Sequence, residues 1–142
     1  MQRHLEGGFL LDDDPGRIDG AAVHAFITES YWAQGRTREL MEELIARAER
    51  VGGLYGPDGR QLGFARVVSD GHTVSYLADV YVLEEVRGRG LGLELVRFTV
   101  DGGSLGDTKW ILHTRDMQGL YEKIGFRGPG ERTMERGRMA GA

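Results

Sequence analysis

The sequence predicts an α+β (mixed α/β) domain, on three observations. Two-residue and helical apolar periodicities alternate along the chain in the order strand, two helices, three strands, helix, strand, helix, strand. Its 142 residues, 40% of them hydrophobic, fit a single core, because domains of about 100–150 residues bury one each. Its 23 glycines gather at Gly52-Gly53, at Gly102-Gly103 and from Gly128 to Gly130 without a repeating period, so they punctuate short elements and do not build a linker.

Phe9 to Asp12 reads as a short first strand, and Ile18 to Glu29 sets Ile18, Ala22, Ala25 and Phe26 on one helical face. After a loop from Ser30 to Arg36, Thr37 is placed to cap a helix. The stripe of that helix is Leu40, Met41, Leu44, Ile45 and Ala48, and it ends before Gly52-Gly53. Gly53 to Gly56, the turn Pro57-Asp58-Gly59 and Gln61 to Ser69 make a hairpin. Asp70-Gly71 then turns the chain into Thr73 to Leu83, whose β-branched and aromatic content predicts a third antiparallel strand. Leu91 to Val100 carries Leu91, Leu95, Phe98 and Thr99 at helical spacing and stops at Gly102-Gly103. Lys109 to Thr114 is the next strand. Asp116 is the expected cap of a short helix, Met117 to Ile124, closed by Gly125, and Phe126 starts a last short strand.

Charge and composition narrow the function. With 18 Lys and Arg against 22 Asp and Glu the net charge is −4, which argues against a general binder of nucleic acid while leaving room for a local basic site. The chain has no cysteine, which excludes disulfides, thiolate catalysis and Cys-ligated metals, and no His, Asp and Glu cluster has metal-ligand spacing, so no metal is expected. Met1 to Asp14 lacks the apolar run of a signal peptide, and nothing approaches the ~18 apolar residues of a membrane span. The expected setting is the cytoplasm, with no membrane partner.

The most pointed stretch is V-L-E-E-V-R-G-R-G-L-G, Val82 to Gly92, where a strand runs into glycines on alternate positions, with an arginine before each of the first two. Bare backbone beside positive charge suits a phosphate, since glycine turns tightly and brings main-chain N–H groups close to a ligand. The plainer alternative is an ordinary turn. A P-loop would need a lysine followed by serine or threonine, which this chain lacks. A dinucleotide fingerprint would need glycine where Leu93 stands, within a βαβ unit where a meander is predicted.

Arg87-Gly88-Arg89-Gly90-Leu91-Gly92 resembles the R/Q-x-x-G-x-G/A loop of the GNAT superfamily of N-acetyltransferases, and Leu120-Tyr121-Glu122-Lys123-Ile124-Gly125-Phe126 resembles the second signature of that family. The likeness, to small stand-alone bacterial members, covers about residues 18–127, within a single domain of 1–142 that ends in a flexible tail at about 137–142. It implies a mostly antiparallel sheet flanked by helices, with its fourth and fifth strands splayed apart, here Ala78 to Leu83 and Lys109 to Thr114. It also implies acetyl-CoA as cosubstrate, with pantetheine between those strands against Val82 and the pyrophosphate cradled by Arg87, Gly88, Arg89, Gly90, Leu91 and Gly92 at a helix N-terminus. Seven residues before the motif tyrosine, where family members often carry Asn, stands Thr114, assigned by that position to the cofactor. Tyr31 and Trp32 fall where the family builds part of its acceptor pocket, although adjacent aromatics can equally fill a core.

The chemistry implied is acetyl transfer to an amine. The acceptor amine, with a pKa near ~10.4, must lose a proton, and the departing thiolate, titrating like a thiol at about 8.5, must gain one. Tyr121 stays protonated at neutral pH and by family likeness is the acid. The other reading is a tyrosine that anchors its helix to the sheet. Asp79 is the candidate base, on the strand face of Tyr81 and Leu83, with burial expected to raise its pKa. The other reading is an Asp paired to a neighbouring strand. His113 is the next candidate. The expected partner is a small-molecule or peptide amine, with a homodimer as a family expectation. The competing function is a non-catalytic acyl-CoA-binding or sensing domain, against which an intact Tyr121 argues.

Overall fold

The computed structural model describes residues 1–30 and 32–137. Tyr31, one of the two expected pocket aromatics, lies outside them, as does the expected tail from residue 138 on. Six strands form one sheet in chain order: β1 (Gln2–His4), β2 (Leu10–Asp12), β3 (Arg50–Tyr55), β4 (Gln61–Ser69), β5 (Val74–Val82) and β6 (Lys109–Leu112). All neighbours are antiparallel except β5 and β6, which are parallel. The helices are α1 (Gly20–Ile27), α2 (Arg38–Arg47), α3 (Leu91–Asp101) and α4 (Gln118–Glu122).

Side-chain alternation gives the sheet two buried faces. On one, Leu54, Ala65, Val67, Leu77 and Val82 pack under Leu91, Leu95, Val96 and Phe98 of α3. On the other, Val51, Phe64 and Tyr81 meet Val23 and Ile27 of α1 and Met41 and Ile45 of α2, with the Phe26 and Tyr81 rings stacked at 4.0 Å. Thr37 caps α2 as its sequence predicts, its hydroxyl accepting from the Leu40 N–H at 3.1 Å. Asp19 does the same for α1 through the Ala22 N–H, so that helix begins after Ile18, not on it.

Three expectations are corrected. β3 begins at Arg50, ahead of the Gly52-Gly53 pair read as a stop. Gly52 lies inside the strand because α3 crosses directly over it: a Cβ there would stand 2.3 Å from the Thr99 hydroxyl and 3.2 Å from Leu95. Gly52→Ala is therefore expected to cost about 1–3 kcal/mol by overpacking, measured as a lowered urea midpoint. The α4 helix is shorter than expected, and Asp116 does not cap it; the Met117 N–H is met by Thr114 Oγ1 at 3.1 Å. No strand starts at Phe126 among the described residues. That ring instead sits edge-on to Tyr121, with centroids 5.9 Å apart.

At the far end of α3, Arg50 donates to the Phe98 and Thr99 carbonyls, each at 3.0 Å, and its guanidinium pairs with Asp13 at 2.6 Å. A cation thus closes the negative end of the helix whose other end opens on the glycine loop.

Candidate active site

The parallel pairing of β5 with β6 stops at Leu77 and Leu112, while β5 continues to Val82 with only β4 beside it. A register shift explains where the strands part: between the pairs Arg66–Ala78 and Phe64–Tyr81, two residues of β5 oppose one of β4. This is a β-bulge, and it bends the strand that carries it. The bulge holds Asp79 at φ 55°, the one described residue other than glycine in the left-handed region. Beyond the parting lies a cleft of about 580 Å³, lined on its inner side by Trp32, Arg36, Arg66 and Asp79, and toward β6 and α4 by Tyr76, His113, Thr114 and Tyr121. The splayed strands expected from the sequence are thus present, as β5 and β6 in this numbering.

Asp79 is at the bottom of the cleft, on the Tyr81 face as alternation predicts, and its side chain is 1% exposed. Both carboxylate oxygens are occupied. Arg36 Nη1 donates to each at 2.9 Å, Arg66 Nε to Oδ2 at 2.8 Å and Trp32 Nε1 to Oδ1 at 3.0 Å. Burial acts to raise the Asp79 pKa, but the charge and hydrogen bond of Arg66, then those of Arg36, outweigh it and hold the carboxyl below its ordinary value. The raised pKa expected of a buried base is absent. Asp79 is instead paired with a neighbouring strand, and a carboxylate so stabilised is a poor proton acceptor.

The arginines that do this escaped the sequence reading. A signal was available for Arg66, a lone charge inside the apolar run Leu62 to Val68, which in a central strand must be paired. Arg36 had none beyond its place in the loop before α2. Trp32, an expected pocket residue, lines the cleft with its indole N–H on Asp79 and is 41% exposed.

His113 is held at both nitrogens, by Tyr76 at 2.7 Å on Nδ1 and by Glu135 on Nε2. A carboxylate only accepts, so Nε2 donates toward Glu135, and Nδ1 shares a hydrogen bond with the Tyr76 hydroxyl. Burial first, then the Asp79 charge, push the Tyr76 pKa up, which keeps that hydroxyl a donor. Tyr121 lines the cleft from α4 and packs against the main core. Thr114 also lines it, with its hydroxyl committed to the start of α4.

The glycine loop sits at the end of β5, outside the lining of this cleft. A 3-10 turn at Glu84–Val86 leads into it, Gly88 and Gly90 adopt φ of 81° and 77°, and α3 starts on Gly90 with no side-chain cap. A Cβ at Gly88 or Gly90 would meet nothing within 4 Å, so the first N–H groups of α3 lie behind open, side-chain-free backbone. That cradle fits a phosphate. Gly92 comes within 3.8 Å of Val82 and 3.6 Å of Leu120, counted from where its Cβ would be, which joins the loop to β5 and α4. Arg87 Nε donates to the Val82 carbonyl at 3.0 Å, so its charge is pinned where β5 ends. Arg89 lines a separate hollow with Phe9, Pro57 and Arg60. Among the described residues no group of three or more His, Asp or Glu is placed to hold a metal, and no helix is long and apolar enough to cross a membrane.

Comparison with known proteins bears on the fold and the family. Residues 54–128, more than half of the chain, match the family model of the acetyltransferase (GNAT) domain. A crystal structure from Xanthomonas campestris pv. campestris, described as a GNAT-family acetyltransferase, is 33% identical with a TM-score of 0.85, covering 92% of this chain and 93% of that one. One from Deinococcus radiodurans R1, at 24% identity and TM-score 0.73 over 96% of this chain and 94% of that one, shares the fold. A curated Gibberella zeae protein designated an acetyltransferase is 28% identical over 110 residues. The match takes in 64% of this chain and spans 62% of the length of that relative.

Proposed function

Because the chain belongs to the GNAT acetyltransferase family, we propose that it moves an acetyl group from acetyl-CoA to the amine of a small-molecule or peptide acceptor by direct attack. The observation that carries this reading is the cleft that opens where β6 leaves β5, with Tyr121 on one wall and the glycine loop just beyond its end. The backbone of Gly88 to Gly92 and the start of α3 would hold the pyrophosphate, Arg87 would add charge beside it, and the edge of β5 left open beyond Leu77, up to Val82, would offer main-chain groups to pantetheine. Acetyl-CoA supplies the thioester carbonyl and the sulfur leaving group.

The acceptor nitrogen enters from the side of Trp32 and forms the C–N bond as the C–S bond breaks. Its proton passes to the Tyr76 oxygen while the Tyr76 proton moves to His113 Nδ1, with Glu135 holding the far side of the ring. Tyr121 donates its hydroxyl proton toward the sulfur. Asp79 is a positioning residue that fixes Trp32, Arg36 and Arg66. No acyl-enzyme is invoked, since the chain has no cysteine on which to form a thioester.

The test is a thioester-cleavage assay against a panel of amines. Tyr121→Phe keeps the ring and its contact with Phe126, so CoA affinity should hold while kcat falls at least ~10-fold. Unchanged turnover under chemistry-limited conditions would return Tyr121 to packing. CoA binding without cleavage by any amine would favour the binding-domain reading.

A further inference from the structure

The chain is acidic overall, yet the inner end of the cleft carries an excess of positive charge. Two guanidiniums, Arg36 and Arg66, 19% and 10% exposed, share the single carboxylate of Asp79. Among the described residues, the other charged and titratable groups around the cleft are Arg115 and Asp116, of opposite sign at its rim, with His113, Tyr76 and Tyr121, and the exposed Glu135 on the outer nitrogen of His113, away from the inner end. One positive charge is thus left over at the inner end, where water is scarce and an unbalanced charge is costly.

Hydrogen-bond capacity is left over in the same place. Among the described residues, Arg36 uses Nη1, on Asp79 and on the Met41 sulfur, and Arg66 uses Nε. Arg36 Nε and Nη2, and both Nη groups of Arg66, make no hydrogen bond to another described residue. A guanidinium holds five N–H donors in a rigid plane, so these two are fixed by Asp79 with donors to spare. Asp79 meets both from left-handed backbone within the bulge.

We propose that Arg36 and Arg66 receive a carboxylate carried by the acceptor, so that the substrate class is an amine that also bears a carboxylate group. A single negative charge balances the surplus, whereas a phosphate dianion would reverse it. The proposal rests on the acetyl-transfer reading for the identity of the ligand as acceptor, and its test does not require transfer.

The probes are N-acetylglycine, which has the shape of an acetylated product of this class, and its neutral carboxamide. Each is titrated against the full chain while the Trp32 indole N–H resonance is followed, because that proton sits on Asp79 Oδ1. The acid should bind at least about 10-fold more tightly than the carboxamide, as expected for charge-assisted, two-point contacts. Arg66→Met leaves Asp79 one arginine, a balanced pair, and should erase the preference; Arg36→Met should do the same. Equal binding of acid and carboxamide by the wild type, no response to the acid at millimolar concentration, or a preference that survives in both variants would each overturn the proposal. If the acid preference stands but no amine is acetylated, the anion site remains and the acetyl-transfer reading falls. If neutral amines are acetylated as fast as their carboxylate-bearing counterparts, transfer stands and the anion site falls.

Discussion

Asp79→Asn is expected to destabilise the protein by about 3–5 kcal/mol at neutral pH, the range for removing one partner of a buried charge pair. The substitution keeps the shape of the side chain while leaving Arg36 and Arg66 without their shared counter-charge, and an amide NH2 facing Arg66 Nε puts two donors together. Urea unfolding at pH 7 measures it. The effect has a predicted pH dependence. The folded Asp79 pKa lies below its unfolded value, so between the two the unfolded chain binds more protons and stability rises with pH. The Asp79 contribution is whole above the ordinary carboxylate pKa of about 3.9 and is lost as pH falls through the folded value. The gap between wild type and variant should therefore narrow in acid melts below about pH 4. Asp12 and Asp13, whose pKa values are also lowered, leave the variant some acid sensitivity of its own. A variant as stable as wild type at pH 7, or a gap that does not narrow, would contradict the burial and pairing described for this residue.

Gly90→Glu is expected to abolish the stabilisation that CoA gives. A ligand confined to the folded state at a hundredfold excess over its Kd adds about 2.7 kcal/mol, and at this chain length that is a rise in Tm on the order of 5–10 °C. The glutamate would place a carboxylate in the open space before the first N–H groups of α3, where the pyrophosphate is proposed to lie. Gly90 has φ 77°, so any side chain there carries a backbone cost of about 1–2 kcal/mol. Gly90→Ala is the control, because it bears the same backbone cost and adds neither charge nor reach. The measured quantity is the CoA-induced shift in each protein rather than its bare Tm. Alanine should keep most of the shift and glutamate none. A full shift in the glutamate variant would remove the loop from the CoA site.

The sequence reading succeeded where the determinant is local. Gln61 to Ser69 has apolar residues and one flanking turn on each side, and its strand is found with those limits; Thr37 needs only the Leu40 N–H three residues on. It failed where the determinant is distant. Gly52 looks like a stop until α3 is laid over it, and β1, polar and exposed, is a strand only because β2 pairs with it. The same division runs through the site. The glycine loop and Tyr121 lie in contiguous motifs, which a sequence displays whole. The state of Asp79 depends on Arg36 and Arg66, brought to it by a bulge and an interhelical loop, and that of His113 on Glu135 from the far side of α4.

The parallel pairing of β5 with β6 joins Val74 to Lys109 across the whole of α3, whereas the hairpins of β3, β4 and β5 close between near neighbours in the chain. Closing a longer loop loses more chain entropy, so short-range pairings form more readily than the long crossover. The two walls of the cleft therefore carry a larger closure cost than the meander beside them, and the site rests on one of the most non-local pairings in the sheet.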